Sequence, residues 1–305
     1  MSSAKPATTY GEQLELLKSR GLIVPDEPFA LHCLQHHSYY RLSAYRFTIT
    51  VKGNRDAFLP GTTFQDLWGV YAFDRQLRLL VIEAVKRLEI SVRSHWAYVL
   101  AHTYGPQAYG DAGNFRNRNY HEGGLRRLDD ELGRSDEMFV KHFRNKYRMT
   151  RPPIWAAVEV MSFGLLSRFY GNTRRNSDRK AVARIFELSS GNLGSLLEHA
   201  VYVRNLCAHH ARLWNRRFTV TVELPKSRPE RVVSSLNRTE DRRLYNTLVL
   251  LAHIMNVVQP GSDWAGRLRE LVHAQTLPVT EHMGFPSDWE TRPIWQAATQ
   301  AEAGQ

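Results

Sequence analysis

FQDLWGVYAFDRQLRLLVIEAVKRLEISVRSHWAYVLAHTY, residues 64–104, carries apolar side chains at three- and four-residue intervals along its whole length and contains no proline. An α-helix turns about 100° per residue, so this spacing lines one face with apolar groups. It predicts one long helix here, or two joined end to end. Gly105-Pro106 stops it, because proline lacks the N–H that the next helical hydrogen bond requires.

Outward from this stretch the same periodicity recurs. Glu12–Arg20 is closed by Gly21, and Pro28–Ser38 opens with a proline in its first turn. On the other side, 125–148, the run from Pro152-Pro153 to Tyr170, 178–188, 192–216, 239–258 and 263–275 read as helices. Residues 105–124 read as a Gly/Asn-rich loop and NTRRNSDRK, 172–180, as a polar connector. Phe47, Ile49 and Val51 alternate with Thr48, Thr50 and Lys52; Phe218, Val220, Val222 and Leu224 alternate likewise, so a short β pair between the two stretches is expected. The fold class is mainly α, a helical bundle with additional helices and one short β pair. We divide it into an N-terminal helical region (1–62), a helical core (63–217) and a C-terminal helical region (218–305), together one compact unit. No fixed period repeats, which excludes a solenoid.

The chain has 305 residues, 43% of them hydrophobic, enough to bury a sizeable core. Lys and Arg outnumber Asp and Glu by 41 to 30, a net charge of +11, and the isoelectric point is near 9.8. Such a surplus favours a polyanionic partner, nucleic acid first, although a basic surface can also serve solubility alone. Cys33 and Cys207 are too few for a disulfide framework or a four-cysteine zinc site. After a short flexible start, MSSAKPATTYGEQLELL shows no secretory pattern, and no apolar run reaches the ~18 residues that span a bilayer. A cytoplasmic protein with no membrane contact is expected.

RNLCAHHARLWNR, 204–216, concentrates polar chemistry behind the apolar run GNLGSLLEHAVYV. On a continuous helix Asn215, Ala208, Arg212, Asn205 and His209 fall roughly 20–140° from Arg204, while Leu206, Val203, Trp214 and Cys207 lie opposite. His210 falls among the apolar set at roughly 240°. A solvated face is normally rich in Glu and Lys, yet this arc has no carboxylate. Two further readings stand beside that solvated face. The arc binds phosphate without chemistry, since Arg and Asn are good ligands for phosphate oxygens. Or it is catalytic, since histidine exchanges protons near neutrality and arginine stabilises a phosphoryl group gaining charge.

Arg204-Asn205-x-x-x-His209 resembles the Arg-x4–6-His motif of the HEPN superfamily. The longer string is similar to the signature of bacterial abortive-infection (Abi-like, AbiD/AbiF-type) proteins, as are YYRLSAYRF (39–47), VYAFDRQLRLLVIEAVKRLEISVRS (70–94), PPIWAAVEVMSFGLLSRFY (152–170) and MGFPSDWETRPIW (283–295). The resemblance implies a HEPN-like bundle acting as an antiphage, growth-arresting endoribonuclease of the toxin–antitoxin kind. Arg204, Asn205 and His209 would be catalytic, and no metal or cofactor is implied. It further implies RNA partners, a structured non-coding RNA among them, and a homodimer with a composite site. A noncatalytic protein that sequesters or assembles on structured RNA is the alternative.

His210, Arg212, Asn215, Glu89 and Arg93 are candidates to support that site; Glu89 would orient Arg204 or pair with Arg93 four residues on. YYRLSAYR pairs aromatics with Arg41 and Arg46, which would bind RNA, or would simply pack. Arg174, Arg175, Arg179 and Lys180 are candidates for phosphate contact, or a solvated loop. Arg116, Asn117 and His121 repeat the motif's spacing inside the Gly/Asn-rich loop and read as coincidence. His32 and His36 lie one turn apart without the carboxylate of a zinc pattern and read as structural.

Overall fold

The computed structural model describes residues 6–296. Positions 1–5, the start of the segment read as flexible and lacking a secretory signal, lie outside the described residues. The chain divides into two units, one running through Arg78 with Arg269–Val279 and the other Leu79–Leu268 with the chain from Thr280 on.

The first unit begins with α1 (Tyr10–Ser19), α2 (Glu27–His37) and α3 (Tyr39–Ser43). Thr9 and Glu12 form a reciprocal capping box at α1, and Asp26 caps α2 through the N–H of Phe29. The expected β pair is corrected. Residues 46–48 form a 3-10 turn, and β1 (Thr50–Val51) pairs instead with its own neighbour β2 (Asn54–Phe58). Gly53, at φ +87°, turns the chain there, and a local hairpin closes a far shorter loop than a pairing with 218–224 would. Phe218–Leu224 is not a strand: the His199 ring bonds the carbonyl of Val220, Ser195 Oγ accepts from the N–H of Glu223, and Asn192 donates to its carbonyl.

The predicted long helix is one continuous element, α4 (Phe64–Tyr104). Its residues 64–78 belong to the first unit, where Tyr45, Asp74 and Arg78 are buried together. Tyr45 donates to Asp74 at 2.6 Å and accepts from Arg78, which also ion-pairs with Asp74. In the second unit Val81, Ala84, Val85, Leu88, Val92, Trp96 and Leu100 form its buried stripe. Trp96 donates to Thr173, and Trp264 donates to the carbonyl of Leu80.

The second unit continues with α5 (Arg118–Arg134), α6 (Met138–Tyr147), α7 (Ile154–Val160), α8 (Phe163–Asn172), α9 (Asn176–Ile185) and α10 (Ser190–Ala208). Several expected boundaries move. The expected 105–124 loop ends early, since α5 begins at Arg118; the 125–148 helix is broken between Arg134 and Met138, the 152–170 helix at Met161-Ser162, half of the supposed polar connector is the start of α9, and the helix expected from 239 begins at Leu244. Gly124 lets α5 approach α8 closely, since a Cβ there would lie 3.1 Å from the Phe169 ring. After α11 (Glu230–Val233), α12 (Leu244–Val258) buries every residue from Leu244 to Met255, and α13 (Trp264–His273) follows. Three polar members of α12 are satisfied: Asn246 exchanges two bonds with the Asn237 backbone, Thr247 meets His199, and His253 meets the carbonyl of Phe186. The tail packs Trp289, Trp295 and Phe285 around Tyr245. The mainly α class holds throughout. Among the described residues no helix is long and apolar enough to cross a membrane.

Candidate functional site

α10 starts at the cap formed by Ser189 on the N–H of Asn192 and buries Leu193, Leu196, Leu197, His199, Ala200, Val203 and Cys207. It ends at Ala208, eight residues before the expected 216. The termination is a Schellman motif. The N–H of His210 bonds the carbonyl of Cys207, and that of Ala211 bonds Leu206 at 2.8 Å. His210 therefore occupies the left-handed position, φ +56°, usually held by glycine. A non-glycine residue there costs roughly 1–2 kcal/mol, which the surrounding packing must offset.

This corrects the helical projection beyond His209. His210 is exposed rather than directed at the packed face. Trp214, now in a loop, is buried with Leu213 and anchors residues 209–217 to the core. The Arg212 guanidinium lies over the Trp214 ring at 5.8 Å. Asn215, at φ +50°, accepts from Arg243 at 2.9 Å, and the N–H of Phe218 bonds the carbonyl of Arg242. The loop is thus clamped to the start of α12.

The last turn of α10 carries Arg204, Asn205 and His209. Arg204 is half-buried and donates to Asn205 Oδ1 at 3.1 Å; Asn205 and His209 are exposed. The backbone N–H of His209 bonds the carbonyl of Asn205 at 3.0 Å, tying its position to the helix end. Arg216, Arg217, Arg242 and Arg243 belong to the same clamped segments and were not singled out from sequence. The signal was present as two Arg-Arg pairs, one straddling the end of the 204–216 string and one directly before the apolar run of α12.

Other candidates separate. Glu89 ion-pairs with Arg93, whose guanidinium also donates to the carbonyl of Val158. Both are therefore engaged in joining α4 to α7, and the ordinary i,i+4 pair describes Glu89 better than a partnership with Arg204. Arg179 is buried, donating to the carbonyl of Thr173 and to Asn176, which removes it as a surface phosphate contact. Lys180 is exposed; Arg174 donates to the carbonyl of Gly113, and Arg175 lies 5.5 Å from the centre of the Tyr104 ring. In the first unit Arg46 faces Asp56 at 3.8 Å, and Arg41 is half-buried. Of the aromatics around them Tyr45 is core and Tyr40 is exposed.

The second motif copy is structural, though not for the reason of lying in a loop. Asn117 caps α5, and buried His121 stacks on Phe115 at 4.4 Å with Nε2 on the carbonyl of Tyr109. His32 and His36 pack against each other with tilted rings, 4.5 Å between ring centres. Among the described residues no group of three or more His, Cys, Asp or Glu is placed to hold a metal ion.

Residues 32–215, from α2 through the Asn215 clamp, match the model of the Abi-like protein family. The chain belongs to the Abi-like family. Membership points to abortive infection, a form of phage defence. The match covers α10 whole and ends at Asn215, within the 204–216 string. Neither curated proteins nor solved structures gave a match.

Proposed function

We propose that this Abi-like chain is a HEPN-type endoribonuclease effector of abortive infection that cleaves RNA by attack of the ribose 2′-hydroxyl. The observation that carries the proposal is the last turn of α10, where Arg204, Asn205 and His209 sit on one helix end with His209 open to solvent. His209 acts as general base on the 2′-hydroxyl. Arg204 stabilises the charge that gathers on the phosphorane-like transition state, and Asn205 holds the guanidinium. The products are a 2′,3′-cyclic phosphate and a 5′-hydroxyl. The nucleophile is part of the substrate, so the proposed reaction needs no divalent metal. A second copy of the chain supplies the facing half of the site, because the other Arg-Asn-x-x-x-His in the chain is spent on packing His121.

The test is incubation of the purified protein, stripped of nucleic acid, with labelled RNA in EDTA beside folded Arg204→Ala and His209→Ala variants. Rates should fall by about 10²–10⁴-fold for His209→Ala and by about 10²–10³-fold for Arg204→Ala. Full activity of His209→Ala, or loss in EDTA restored by one metal, would remove the mechanism. Salt-sensitive RNA binding without cleavage, with the co-purified RNA restored, would favour the noncatalytic reading that the exposed cations Arg217 and Lys180 also support.

A further inference from the structure

Where α9 gives way to α10, a cavity of about 600 Å³ is lined by Lys180 and Arg184 of α9, by Glu187, Leu188 and Ser189 of the connection, by Ser190 at the start of α10, and by Arg228-Pro229. A volume of this size is typical of small-molecule sites. Three of its groups are cations on exposed residues from two separate segments, and their side chains make no hydrogen bond or ion pair among the described residues. The wall holds one carboxylate, exposed Glu187, which lies 3.8 Å from His253, a ring that burial favours in its neutral form. The serines are engaged, Ser189 with Asn192 and Ser190 with Asn176. Like charges that converge on one concavity repel each other, and an anion between them relieves that repulsion. Three cations against one carboxylate leave an excess of two positive charges, the charge of a terminal phosphate rather than of a single phosphodiester.

We propose that this cavity binds a phosphomonoester, with Lys180, Arg184 and Arg228 on the phosphate and the apolar Leu188-Pro229 wall against the group that bears it. The site lies at the start of α10, whereas Arg204, Asn205 and His209 lie at its end, so the inference does not rest on the ribonuclease reading. Two sources present this chemistry, a nucleoside 5′-monophosphate and the 5′-phosphorylated end of an RNA.

The experiment measures binding of a 3′-labelled oligoribonucleotide carrying either a 5′-phosphate or a 5′-hydroxyl, with AMP as a separate ligand and as competitor. The full chain carries His209→Ala so that cleavage cannot intervene. The phosphorylated form should bind roughly tenfold more tightly, and Lys180→Gln with Arg228→Gln should abolish that preference while Lys86→Gln, at an exposed position of α4 outside the cavity lining, leaves it intact. AMP that binds and competes identifies the free nucleotide as sufficient; preference without AMP binding identifies the RNA end. Equal affinity for both oligonucleotides together with no AMP binding, or a preference indifferent to the two cavity substitutions, overturns the proposal. Failure of the ribonuclease reading would appear separately, as wild-type protein that leaves RNA intact.

Discussion

Arg179 and Lys180 are neighbours with opposite fates, and the difference is set by one residue of helical rotation. At about 100° per residue, Arg179 points under the Thr173–Asn176 turn and Lys180 points out of it. Arg179→Gln should therefore lower stability by about 2 kcal/mol, since the carbonyl of Thr173 loses a buried charged donor. Lys180→Gln should leave stability within about 0.5 kcal/mol. Urea unfolding of the two variants checks this, and equal effects would contradict the placement. No pattern in NTRRNSDRK separates the two, because the carbonyl that claims Arg179 belongs to a turn set by the packing of Thr173 against Trp96. His121 is similar: its Arg-Asn-x-x-x-His spacing matches that of His209, and only burial against Phe115 and Tyr109 distinguishes them.

At the scale of elements, α12 places Asn246 and Thr247 in a helix otherwise suited to a buried core. Both are legible as anomalies in sequence, but their partners, Asn237 and His199, are not. Asn246→Leu keeps the volume and removes two bonds, leaving the N–H and carbonyl of Asn237 unpaired. The expected cost is about 2–3 kcal/mol, read as a lower urea midpoint with unchanged slope. A neutral outcome would mean that solvent reaches Asn237. The premature end of α10 belongs to the same scale. A glycine at position 210 would have announced it; histidine in the left-handed position is held there by the burial of Leu213 and Trp214 just beyond.

For the whole molecule, His199 links the fold to pH. Burial lowers its pKa from 6.5 to about 4, against the opposing bond to the carbonyl of Val220. With Nδ1 donating to that carbonyl and Nε2 accepting from Thr247, the neutral ring is the form that fits. The unfolded chain binds this proton below pH 6.5 and the folded chain only near pH 4, so the unfolded state carries more protons in between. The stability contribution is present above pH 6.5 and is lost as pH falls towards 4, on the order of 3 kcal/mol in all. His253, lowered by burial as well, acts in the same direction. The wild-type loss between pH 7 and pH 4.5 should exceed that of His199→Gln; equal losses would show that His199 is not the linked group.

The helical class, the helical run over 64–104, the motif Arg204-Asn205-x-x-x-His209 and the family were all determined by the sequence itself, while the structure decided that the run is one helix and not two. Each rests on local periodicity or on a contiguous string, and local interactions are encoded by residues near one another in the chain. Tertiary structure alone decided where α10 stops, which strand β1 pairs with, that Arg179, Arg93 and His121 are spent on packing, and that Asn215 is clamped by Arg243. Arg93 and Asn215 depend on partners 65 and 28 residues away, whereas the hairpin, Arg179, His121 and the end of α10 have partners close in the chain. Even these local outcomes turn on which surface the rest of the fold buries, since a polar group's role is fixed by whether water or protein answers its hydrogen bonds.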